Sequence, residues 1–247
     1  MKLNLIRDSK NPATHLVFPL DVAHRDEALD LASQLSGLVG FFKIGLELFI
    51  SQGPDIVDSL RSRAPDTGIF LDLKLHDIPA TVSRAMNSVA ALEPDLVTVH
   101  AQGGLEMMKA AVDATPENTT VLAVTLLTSL DPAEHDELTR EYRRPGLYAA
   151  RLAQRSIVAG CHGLVASGHE VFDLRARFGP KPLLVIPGIR PSWAEVVSDD
   201  QKRVGTVAGA LRDGADLLVI GRPIRLAPDP AEAAQKIVAE IAQTLAN

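Results

Sequence analysis

The chain has 247 residues, 46% of them hydrophobic, which is enough for one large domain with a substantial core. Its formal net charge of −6 provides no global basic field, which argues against nucleic acid or an anionic membrane surface as a partner. Cys161 is the single cysteine and excludes an intrachain disulfide; the stretch Met1 to Asp8 lacks a signal-peptide core and no run is apolar enough to span a bilayer, so a cytosolic protein is expected.

Short apolar runs recur along the chain, each followed by an amphipathic segment. The predicted strands are Leu16 to Leu20, Phe41 to Ile44, Ile69 to Leu75, Leu96 to Val99, Val121 to Leu127, Gly163 to Ala166, Leu183 to Ile186 and Leu217 to Ile220. The predicted helices are Arg25 to Leu35, Leu46 to Arg61, Thr81 to Leu92, Glu106 to Ala114, Leu147 to Ala159, Val171 to Phe178, Arg203 to Arg212 and Ala231 to Leu245. Alternation of this kind implies an α/β protein with a parallel sheet. Eight units in this length favour a closed (β/α)8 TIM barrel, a single domain over residues 1–247. The long connection Ser129 to Gly146, rich in charge and holding Pro132 and Pro145, reads as a lid or binding loop.

The third run, Phe70-Leu71-Asp72-Leu73-Lys74-Leu75, alternates strictly, so Phe70, Asp72 and Lys74 share one face of a strand and the leucines the other. Charges admitted to a strand buried on both faces are either a structural ion pair or functional groups. Asp77 falls just beyond, before Pro79, and reads either as a helix N-cap or as a site residue sharing one turn with Thr81. Three ionisable groups at one strand end favour the functional reading, because barrel chemistry sits at the C-terminal ends of strands.

The other strand ends carry Asp21, Lys43, His100, Thr125, Thr128, Ser129, Ser167, Arg190 and Arg222. Asp21 or Lys43 alone is more often an ordinary strand-end charge. The loops after strands seven and eight, Pro187-Gly188-Ile189-Arg190 and Gly221-Arg222-Pro223-Ile224, each pair glycine with arginine. Together they supply the local cationic site that an acidic protein needs for a phosphate ester. His100 is an acid-base candidate or a hydrogen-bonded wall residue, and its role stays open. No metal-ligand spacing and no dinucleotide glycine motif is present, so neither metal nor organic cofactor is expected.

The pattern Asp72-x-Lys74-x-x-Asp77-Ile78-Pro79-x-Thr81 resembles the signature of the orotidine 5′-phosphate decarboxylases. The resemblance extends over Leu20-Asp21, Lys43-Ile44-Gly45, Val97-Thr98-Val99-His100-Ala101, Leu127-Thr128-Ser129, Pro187-Gly188-Ile189-Arg190, Asp200-Gln201-Lys202-Arg203 and Gly214-Ala215-Asp216. Val207 departs from the pattern, where that family often has proline, and Pro19 is a local oddity in a strand.

The resemblance implies decarboxylation of orotidine 5′-monophosphate to uridine 5′-monophosphate, without metal or cofactor, by a homodimer. Lys43, Asp72, Lys74 and Asp77 form an alternating charge tetrad on this expectation, with Asp77 and Thr81 contributed by the other subunit. Lys74 stabilises and protonates a C6 carbanion. Asp21, Lys43 and Thr81 hold the ribose hydroxyls, Thr128 the pyrimidine edge, Gln201 bridges base and phosphate, and Arg222 with the Gly221 backbone grips the phosphate, with Arg190 nearby. Two rivals stand beside it: a magnesium-dependent sugar-phosphate barrel enzyme sharing the Asp-x-Lys-x-x-Asp motif, and a non-catalytic phosphate-binding barrel.

Overall fold

The computed structural model describes residue 6 and residues 9–127, 145–193 and 205–246. Eight parallel strands close into a barrel: β1 (Leu16–Pro19), β2 (Phe41–Ile44), β3 (Gly68–Leu75), β4 (Leu96–His100), β5 (Thr120–Val124), β6 (Gly163–Val165), β7 (Leu183–Ile186) and β10 (Leu217–Val219). β10 pairs with both β7 and β1, which removes any free edge. A two-residue pair, β8 (Ile189–Arg190) with β9 (Gly205–Thr206), lies outside the barrel and is not foreseen in the sequence.

Strand periodicity explains the layering. Side chains of opposite parity face opposite ways, and one set (Val17, Phe41, Phe70, Leu96, Leu122, Leu183, Val185 and Leu217) forms the packed barrel interior. The other set, including Leu16, Phe18, Phe42, Ile44, Ile69 and Leu71, packs against the surrounding helices. Each fully buried side chain of this size contributes about 1.5–3 kcal/mol relative to exposure. Because both faces are covered, the strands read as nearly continuous apolar runs.

The interior column of each strand decides the site. Phe41 is followed inward by Lys43 on β2, Phe70 by Asp72 and Lys74 on β3, and Leu96 by Thr98 and His100 on β4. On β5, β6 and β7 the same columns stay apolar at Val124, Val165 and Val185. The polar end of the interior is therefore confined to one side of the barrel mouth.

The predicted helix Leu46 to Arg61 is two helices, Leu46–Gln52 and Asp55–Arg63. Gly53 ends the first with φ +71, a left-handed conformation that glycine adopts without a Cβ penalty, and Pro54 then starts the second. Arg203 and Val204 lie outside the described residues; the helix predicted from Arg203 begins at Val207, after β9. Thr206 caps it by accepting from the Gly209 N–H at 3.1 Å, so Val207 occupies a first-turn position. The Gly214-Ala215-Asp216 segment serves the opposite end of the barrel. There Asp216 Oδ2 accepts from Arg175 Nη2 and from the Leu184 backbone N–H, both at 2.7 Å, tying β7, β10 and the helix Val171–Phe178 together.

Candidate active site

At the C-terminal mouth, Asp72 stands between two lysines. Its Oδ2 is 2.8 Å from Lys74 Nζ and 3.4 Å from Lys43 Nζ, and Lys43 Nζ is in turn 3.2 Å from Asp21 Oδ1. Within one chain the charges thus alternate as Asp21, Lys43, Asp72, Lys74. The order has a physical cause: two like charges about 4 Å apart cost roughly 4 kcal/mol at an effective dielectric near 20, so a packed cluster persists only with its signs interleaved. The side chains of Lys43 and Asp72 are each 12% exposed and that of Lys74 33%, so the array opens to solvent at Lys74 and at Asp21. Burial on its own raises the Asp72 carboxyl, but Lys43, Lys74 and the Thr98 hydroxyl outweigh it and hold the group below its usual range, as a carboxylate.

Lys74 does not continue the strand regularly. Its φ is +48, a left-handed conformation rare for a residue with a side chain, and the β3–β4 register shifts between Leu71 and Leu75. The irregularity falls where the three charges of β2 and β3 meet. It was not legible in the motif, which reads as strict alternation. Thr98, fully buried on β4, is the polar residue to which sequence reasoning gave no role: its Oγ1 donates to Asp72 Oδ1 at 3.0 Å and accepts from the Lys74 backbone N–H at 2.9 Å. Strand parity, which puts Thr98 between inward Leu96 and His100, was the available signal.

A cavity of about 280 Å³ lies over this array, lined by Asp21, Lys43, Asp72 and Lys74 on one side and by Val124, Leu126, Val165 and Val185 on the other. Arg190, Gly221 and Arg222 line its far end, on the loops after the neighbouring strands β7 and β10. Gly221 has a steric reason besides: a Cβ there would stand 2.7 Å from the ring of Pro19, whose missing N–H is tolerated at the end of β1. Two arginines, a paired charge array and an apolar wall in one cleft suit an anionic, partly flat small molecule.

Asp77 and Thr81 do not line this cavity. Asp77 is exposed and, among the described residues, forms no ion pair; its Oδ1 accepts only from the adjacent Ile78 N–H, at 2.6 Å. It is not the helix cap either, since Ile78 holds the N-cap position of the helix Pro79–Ala90 and makes no side-chain cap bond. Thr81 stands in the first turn of that helix, partly exposed. Thr128, Ser129 and Gln201, and most of the loop Ser129 to Gly146, lie outside the described residues.

The remaining strand-end candidates have structural partners. Thr125 Oγ1 donates to Val165 O at 3.1 Å, and Ser167 forms a reciprocal capping box with Glu170. His100 is buried and stacked on His76, ring centroids 5.2 Å apart, and its Nδ1 accepts the Gln102 N–H at 3.3 Å. Burial first, then His76 and Lys74, push its pKa down to about 4, so it is neutral near pH 7; it does not line the cavity. No group of three or more His, Cys, Asp or Glu side chains suited to a metal ion occurs among the described residues.

Comparison with known proteins gives this geometry its context. The model of the family described as "Orotidine 5′-phosphate decarboxylase / HUMPS family" matches residues 14–237. The curated orotidine 5′-phosphate decarboxylase of Anaeromyxobacter dehalogenans is 48% identical over 229 residues, covering 92% of this chain and 98% of its own. That of Thermobifida fusca is 46% identical over 236 residues, covering 95% and 99%. Among solved structures, orotidine 5′-phosphate decarboxylase from Lactobacillus acidophilus superposes with a TM-score of 0.77 at 33% identity, covering 92% of this chain and 98% of that one. With the match running through the charged strand ends and both arginine loops, the chain belongs to the orotidine 5′-phosphate decarboxylase / HUMPS family.

Proposed function

We propose that this protein decarboxylates orotidine 5′-monophosphate to uridine 5′-monophosphate, a step of pyrimidine biosynthesis. The observation that carries the reading is the alternating array Asp21–Lys43–Asp72–Lys74 at the mouth of a barrel whose nearly full-length relatives bear that name.

The chemistry accounts for the array. Breaking the bond from C6 to the carboxylate releases CO₂ and leaves the electron pair on C6. Lys74 supplies a fixed positive charge beside it and then its proton, giving the C6–H of the product. Asp72 keeps Lys74 in place and Lys43 balances Asp72, so the ammonium is aimed before substrate arrives. Asp21 and Lys43 take ribose hydroxyls, and Arg222 with the Gly221 backbone and Arg190 takes the phosphate. Thr128 and Gln201 are assigned to the base edge and to the base–phosphate bridge. Phosphate binding far from C6 then fixes the reacting centre, an effect felt in turnover as well as in affinity.

The reading extends to a homodimer in which Asp77 and Thr81 enter the partner's site, completing the tetrad. It is supported by the exposure of Asp77 and by apolar surface on the segments after β2 and β3, where Leu46 is 48%, Ile50 77% and Ile78 66% exposed. One barrel domain over the whole chain and a cytosolic setting belong to the same proposal; no helix among the described residues is long and apolar enough to cross a membrane. The magnesium-dependent sugar-phosphate rival fits less well, since Asp21 and Asp72 are already engaged by lysine.

Purified protein mixed with orotidine 5′-monophosphate should consume the substrate absorbance and yield an equal amount of uridine 5′-monophosphate. No turnover by folded protein would overturn the reading.

A further inference from the structure

β3 and β4 pair at Phe70↔Leu96 and Leu71↔Val97 and resume only at Leu75↔Val99, so residues 72–74 lie opposite Thr98 alone. A bulge of this kind leaves backbone groups without ladder partners. At Lys74, where φ is +48, the N–H is satisfied by the Thr98 hydroxyl at 2.9 Å rather than by a carbonyl. The same hydroxyl reaches Asp72 Oδ1 at 3.0 Å. The direction of both bonds is fixed, because an amide can only donate and a carboxylate can only accept. Thr98 is fully buried, and its β-branched side chain has little freedom to turn away.

The consequence reaches the ammonium. With Oδ1 held by Thr98, Asp72 offers Oδ2 to Lys74 Nζ at 2.8 Å and to Lys43 Nζ at 3.4 Å. One hydroxyl therefore sets the backbone from which Lys74 springs and the carboxylate against which its side chain rests. We infer that Thr98 is a positioning residue for decarboxylation: its hydroxyl closes the β3 bulge and aims the Asp72–Lys74 pair, without touching substrate. The inference rests on the decarboxylase reading above.

A threonine that merely filled the barrel interior could be replaced by valine, which has the same shape. Wild type, Thr98→Val and Thr98→Ser are to be compared for kcat on orotidine 5′-monophosphate, for uridine 5′-monophosphate affinity by calorimetry and for Tm. The valine variant is expected to lose roughly 10- to 100-fold in kcat, the scale of a small misplacement of a reacting group. Its product affinity should stay within about threefold, the signature of an interaction that matters to the reacting centre more than to binding. Thr98→Ser, which keeps the hydroxyl, should recover most of the loss.

Wild-type kcat in the valine variant would overturn the inference. So would a serine variant as slow as valine, or parallel losses of kcat and product affinity. Should valine prevent folding, Thr98→Ala takes its place, and failure of both to fold would make Thr98 a residue of the fold alone. Absence of turnover in the wild type would instead overturn the decarboxylase reading, which keeps the two failures apart.

Discussion

Lys74 Nζ rests 2.8 Å from Asp72 Oδ2, two residues back on the same strand. Lys74 meets Asp72 in a left-handed backbone conformation that costs of order 1–3 kcal/mol for a residue with a side chain. Strain of that size, held in place by buried neighbours, marks the part of the molecule where position matters most.

Lys74 and Arg222 are expected to fail differently. Lys74→Ala should abolish measurable turnover while uridine 5′-monophosphate still binds, because the proposed roles put the lysine at C6 and the arginine at the phosphate. Arg222→Ala should weaken product binding at least tenfold, the scale of losing a charge-assisted bond of about 1.5–3 kcal/mol. Calorimetry on the two folded variants checks the split, and a Lys74→Ala protein unable to bind product would contradict it.

Dialysis against EDTA should leave turnover unchanged. Asp72 Oδ2 is engaged by two ammonium groups and Asp21 Oδ1 by one, so a divalent ion would have to displace existing ion pairs to bind there. Activity lost on dialysis and restored by magnesium would favour the sugar-phosphate rival.

His100 should weaken the fold as the medium turns acid. Its folded pKa is lowered from 6.5 to about 4, so between those values the unfolded chain binds the proton more readily than the native one. Its contribution is therefore complete above about pH 6.5 and falls away towards pH 4, by at most about 1.4 kcal/mol per pH unit. The urea midpoint of wild type should fall relative to that of His100→Phe, which keeps the stack on His76, as pH drops through that window. His162, also lowered chiefly by burial, is common to both proteins. Parallel curves would show that His100 does not titrate there.

Much of this architecture was legible in the sequence because strands buried on both faces declare themselves as apolar runs, and helix Arg25–Leu35 shows its boundaries in its periodicity. That Asp72 and Lys74 share one face was legible from parity, and Lys43 from its strand end, but their union in one charge array followed only from the family resemblance. The break at Gly53-Pro54 was available and passed over, since apolar spacing continues across it. The turn at Lys74 had no local signal, because no glycine or asparagine marks it and the register shift depends on β4. Thr98 was hidden for a related reason: a threonine in an apolar run reads as a strand former, and its partners lie 24 and 26 residues away.

The central claim is a decarboxylating site that joins Lys74 of one copy to Asp77 of another, and subunit exchange between Lys74→Ala and Asp77→Ala proteins tests it most directly. Each variant alone should be inactive. In a mixed two-fold dimer one site carries both lesions and the other neither, and random exchange makes about half of the dimers mixed, so activity should return to roughly a quarter of wild type. No recovery, with exchange confirmed by mass spectrometry, would mean that Asp77 does not serve the partner's Lys74, and would contradict the account.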